Sequence, residues 1–199
     1  MVRYMQRVIA SRPRVIVRHF CCNNVGAAVV EFGLVLPVLM TLFYGTIEVT
    51  RFVLISQKVE KLAHTVADVT SQSTVLTTQG LNQLMSAAGD IMNPYLLTRD
   101  GADANATITV SSLYRAPGQA NASIIWRYPT ATSSSKLGTL GAKPTMPVTF
   151  DFDDRENVIA AEVYYTFKPL LTSRFFGTTT IYRSAFYKPR LGELTNPPT

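Results

Sequence analysis

Apolar and polar positions change rhythm twice along the chain. From Ala27 to Ile55 the residues read AAVVEFGLVLPVLMTLFYGTIEVTRFVLI, almost without a polar break. Such a run is apolar all round a helix instead of along one stripe, which sets it apart from the core helix of a soluble domain. The uncharged part, Phe32 to Ile47, covers about 24 Å as a helix, short of a ~30 Å hydrocarbon layer. Starting at Ala27 brings the length to about 31 Å, so the segment spans if Glu31 sits at or just inside one interface. From Val49 onward the apolar residues fall back to helical spacing: Val53, Ile55, Val59, Leu62, Val66 and Val69 recur, with Gln57, Lys58, Lys61, His64 and Asp68 between them. The two patterns predict one long helix to about Thr70–Ser73. A second helix is expected over Thr78–Met92, with Leu81, Leu84, Met85, Ala88 and Ile91 on one face and Pro94 ending it.

Beyond Pro94 the period drops to two. Ala106–Tyr114 and Ala122–Tyr128 alternate, and Val158–Phe167 and Thr178–Tyr187 are rich in β-branched and aromatic residues. Four strands predict an antiparallel sheet that covers the apolar face of the long helix, so the fold class is α+β, pilin-like in having a long N-terminal helix on a small sheet. Between Pro129 and Pro147 lies a Ser/Thr/Gly-rich stretch without periodicity, and residues 95–157 resemble no family.

Charge sharpens this division. Of the net +6, five charges come from Arg3, Arg7, Arg12, Arg14 and Arg18, which stand in an N-terminal arm without a single acid. The rest of the chain is nearly neutral, which argues against a nucleic-acid partner despite a pI of about 9.5. Mixed charges after the span and arginines before it place the N-terminus in the cytoplasm and the C-terminal domain outside the membrane. The expected organisation is a basic cytoplasmic leader at 1–26, a transmembrane helix at 27–56 and a periplasmic α+β domain at 57–199. The only cysteines, Cys21 and Cys22, are adjacent and belong to the arm, so the domain relies on no disulfide.

The chemically informative string is Gly26-Ala-Ala-Val-Val-Glu31-Phe32. A carboxylate in a membrane helix costs about 2.5–3.5 kcal/mol at the bilayer centre and calls for a partner. Cleavage after Gly26 would free the α-amine of Ala27, a cation near neutral pH, one helical turn from Glu31. Within one chain, or between neighbouring subunits, such a pair lowers the desolvation cost of both charges.

A basic leader, a glycine, four apolar residues, Glu and an aromatic together resemble the processing site of type IV prepilins. The wider string GAAVVEFGLVLPVLMTLFYGTIEVTRF resembles the TadE-like family of tight-adherence (Flp) pilus proteins, through Gly26, Glu31, Phe32, Pro37, Gly45, Glu48 and Arg51. The stretch Glu162-Val-Tyr-Tyr-Thr-Phe-Lys-Pro169 and Tyr187-Lys-Pro-Arg190 are similar to that family's tail. The resemblance implies a minor pseudopilin in the bacterial inner membrane, cut by a prepilin peptidase between Gly26 and Ala27, with Glu31 as the assembly carboxylate. It implies membrane lipid, the peptidase, other pilins or pseudopilins and the assembly platform as partners, with no cofactor. The alternative is an uncleaved single-pass anchor carrying an envelope-binding domain.

Three residues carry structural expectations. Pro37 removes a backbone donor and should bend the helix near Phe32–Gly33. Glu48 and Arg51, three apart, should pair where the helix leaves the bilayer. The acidic string Asp151-Phe-Asp-Asp-Arg-Glu156 lacks the spacing of a calcium loop and reads as a solvated turn. Nucleophile elbow, phosphate loop and zinc-ligand patterns are missing from the sequence, which therefore reads as a non-enzyme.

Overall fold

The computed structural model describes residues 24–98, 104–130, 135–146, 152–170 and 177–199. The basic arm, Cys21, Cys22 and Asp151 lie outside the described residues. The chain divides into two compact units, one ending at Ile47 and the other beginning at Glu48.

Helix α1 (Asn24–Ser71, 48 residues) runs through that division and continues unbroken past Pro37. Its environment changes along its length. Residues 26–47 are exposed apart from a half-exposed Gly45, whereas Glu48, Ile55, Val59, Leu62, Ala63, Val66, Ala67 and Thr70 are buried at helical spacing. In the first unit the threonine hydroxyls are satisfied locally: Thr41 donates to the carbonyl of Pro37 at 2.8 Å and Thr46 to that of Leu42 at 2.9 Å. Such back-bonding removes the cost of a bare hydroxyl in an apolar solvent. Among the described residues, α1 is the one helix long and apolar enough to cross a membrane.

In the second unit, α2 (Thr78–Met92) starts where the Thr77 hydroxyl accepts the Gly80 N–H at 3.0 Å. A Cβ on Gly80 would stand 3.1 Å from that hydroxyl, so the cap itself favours glycine there. The helix end is held by Lys58 of α1, whose Nζ donates to the carbonyls of Ile91 and Asn93 at 3.1 and 2.8 Å. Leu81, Met85, Ala88 and Met92 join the core beneath.

Four strands follow: β1 (Ala106–Tyr114), β2 (Ser123–Tyr128), β3 (Asn157–Phe167) and β4 (Thr179–Tyr187). They form one antiparallel sheet in the order β2-β1-β3-β4. The α+β arrangement expected from the sequence is therefore the one observed, with the starts of β2, β3 and β4 each shifted by one residue. Ile108, Val110, Val163, Tyr165, Ile181 and Ala185 pack with the buried residues of α1 and α2. β2 and β3 flank β1 on opposite sides, so the connection between them, residues 129–156, has to cross the sheet. Its described residues lie on the second face. Leu137 and Phe152 are buried there against Leu113, Ile124, Val158 and Ala160. The stretch without periodicity thus supplies a third layer, and β1 and β3 are buried on both faces.

Candidate functional site

The motif residues fall in two environments on one helix. Ala27, Glu31, Phe32 and Pro37 are exposed on α1, with Ala27 and Glu31 one turn apart on the same side. A Cβ built on Gly26 meets no atom within 4 Å, and the same holds at Gly33 and Gly45. Packing inside this chain therefore gives no reason for glycine at these positions, although each costs about 1 kcal/mol of helix stability relative to alanine.

Glu48 and Arg51 behave differently. Arg51 Nη1 lies 3.2 Å from Glu48 Oε1. The Glu48 carboxylate is buried and also accepts the Leu170 backbone N–H, which stands 3.2 Å from each oxygen. The Arg51 guanidinium lies 5.8 Å from the ring centroid of Phe167, and Phe52 meets the same ring edge-on at 5.4 Å. Helix and sheet are thus locked at the end of β3. The i, i+3 spacing exposes the Glu48–Arg51 contact, but nothing local in the sequence points to Leu170, which is 122 positions away.

The sequence reading missed a second polar centre, on the far face of the sheet. Glu162 is completely buried opposite Thr109 on β1 and Ser184 on β4. It accepts from Ser135 Oγ, from the Lys136 N–H at 3.0 Å and from the hydroxyls of Tyr164 and Tyr182 at 3.1 Å each. Arg127 bonds Ser111 at 3.2 Å, Ser135 at 2.9 Å and the Gly138 carbonyl at 2.8 Å. Burial, followed by the negative charge of Glu162, raises the Tyr164 phenol above its usual range. Burial pushes Tyr182 up to about 12. The parity of β3 is the signal that would have located the site, since Ala160, Glu162 and Tyr164 share one face. The network fastens the crossing connection to the sheet, and four donors account for its carboxylate.

Residues 152–156 of the acidic string form a turn in which Arg155 adopts φ 63°. Asp154 accepts the Gly118 N–H at 3.3 Å, and Glu156 pairs with Lys188 and accepts the Asp153 N–H at 2.6 Å. Cations and backbone N–H groups occupy these carboxylates. Among the described residues there is no group of three or more His, Cys, Asp or Glu placed to hold a metal ion.

The segment with the exposed motif and the membrane-length helix is the part of the chain that comparison with known proteins recognises. Residues 26–68 match the TadE-like protein family. No curated protein and no solved structure matches the chain. The matched segment holds every motif residue from Gly26 to Arg51. It ends three residues before α1 does, so the sheet and its crossing connection lie outside the matched region.

Proposed function

We propose that this chain is a minor pseudopilin-like component of tight-adherence pilus biogenesis, processed by a prepilin peptidase after Gly26. The observation that carries the reading is Gly26, Glu31 and Phe32 at the exposed head of a membrane-length apolar helix, inside the segment that matches TadE-like proteins. Glycine at 26 has no packing role in the fold and weakens the first turns of α1, which favours a backbone that must open for a peptidase. After cleavage the Ala27 amine would neutralise Glu31, in the same subunit or its neighbour, as the exposed helix packs with other pilin-like helices in lipid. The basic arm stays in the cytoplasm and the sheet domain in the periplasm, where it supplies contacts to the assembly platform or fibre. The role is structural and needs no cofactor.

The test is the mass of the protein extracted from its native membrane, with and without Gly26→Val. The wild type is expected to begin at Ala27 and the variant to keep its arginine-bearing arm. Wild type that retains all 199 residues in the presence of the pilus peptidase refutes processing and leaves an anchored envelope domain. Glu31→Ala is expected to be cut normally but to assemble poorly, and normal piliation in that variant would remove the charge-pairing role.

A further inference from the structure

We infer that the segment just after β3, at Lys168 and Leu170, rests on the bilayer beside Phe52, so the domain touches the membrane at a second point besides its helix. The inference rests on the membrane-anchor reading. Glu48 directly follows Ile47, the last residue of the uncharged apolar run, and therefore marks the depth at which the helix reaches the lipid headgroups. The two bonds of 3.2 Å from the Leu170 N–H to the Glu48 carboxylate hold Leu170 at that depth. Leu170 nevertheless turns its side chain outward, 68% exposed, and Phe52 is 37% exposed next to Phe167. Water gains nothing from an exposed leucine at this place, whereas an interfacial layer accepts it together with an aromatic ring. The exposed Lys168 adds a cation at the same end, suited to anionic headgroups. Glu48 is then shielded from lipid by the backbone that follows β3, which explains why a buried carboxylate is tolerable at this depth.

The test uses the full chain in nanodiscs of phosphatidylcholine and phosphatidylglycerol, in a Cys21→Ser, Cys22→Ser background. An environment-sensitive fluorophore is placed in turn on Leu170→Cys, Leu39→Cys and Val75→Cys. Val75 is as exposed as Leu170, at 72%, but lies past the far end of α1, about 35 Å along the helix from Glu48. The Leu170 probe is expected to lose fluorescence to brominated lipid and to resist iodide, and the Val75 probe to do the reverse. Lys168→Gln should lower the lipid-to-water ratio at Leu170 by about five-fold, and an unchanged ratio would overturn the headgroup contact. A Leu170 probe as open to iodide as Val75, or shielded from both quenchers by a protein contact, overturns the inference while Leu39 remains in lipid. A Leu39 probe open to iodide overturns the anchor reading itself.

Discussion

Three glutamates show how one side chain takes on different tasks in different surroundings. Glu31 is exposed on the apolar part of α1, and in the proposed function its partner is a cleaved terminus or another subunit. Glu162 is fully buried and saturated by donors from its own chain. Glu48 lies between these cases, buried by Arg51 and the end of β3. Removing the Glu48 carboxylate as Glu48→Ala is expected to cost about 1.5–3 kcal/mol, the range for hydrogen bonds to a charged group. Chemical denaturation followed by the single tryptophan, the buried Trp126, reads that loss. Glu48→Gln keeps one acceptor oxygen for Leu170 and should lose less. Equal stability of wild type and Glu48→Ala would show that the contact contributes nothing to the fold.

At the scale of the element, α1 is one backbone with two solvents. Leu62 is completely buried against the sheet, while Leu34 on the same helix is 72% exposed. Leu62→Ala should leave a cavity and destabilise the domain by about 2–5 kcal/mol. Leu34→Ala removes a largely exposed group and should leave the Trp126 transition within about 0.5 kcal/mol of wild type. Comparable losses from both substitutions would refute the division of the helix into an anchoring part and a packing part. The boundary is visible in the sequence because continuous apolarity and a helical stripe are different answers to different surroundings. The strands were visible for a related reason: alternation along β1 and β2, and β-branched and aromatic runs along β3 and β4, are local patterns.

For the whole molecule, the unpredicted feature is the layer over the second face of the sheet. The Ser/Thr/Gly-rich connection has no period, and its described residues form neither helix nor strand. It is held by Leu137, by the Glu162 network and by the Thr145 N–H, which donates to the Leu137 carbonyl at 2.8 Å. Tyr182 binds that network, and burial lifts its phenol from the ordinary 10.0 to about 12. A raised phenol pKa means that its contribution is fully present below pH 10 and is lost as pH climbs toward about 12. The melting temperature of Tyr182→Phe should therefore fall less steeply than that of wild type across this window. Parallel pH profiles would remove Tyr182 from the alkaline sensitivity. The C-terminal tail ties the other side, since the Leu194 carbonyl accepts from Trp126 Nε1 at 2.8 Å and from Ser112 Oγ at 2.9 Å.

The amino-acid order alone determined the elements and the motif: a span from Ala27, a stripe from Val49 to Val69, four strands, and Gly26 five residues before Glu31. These are local properties, because period and spacing are set by neighbours within a few turns. Only the tertiary structure decided what Glu48 binds, which way Glu162 faces, and that Leu137 and Phe152 cover the sheet. Each of those facts depends on a contact between residues dozens of positions apart, and chain topology, not local pattern, brings such residues together.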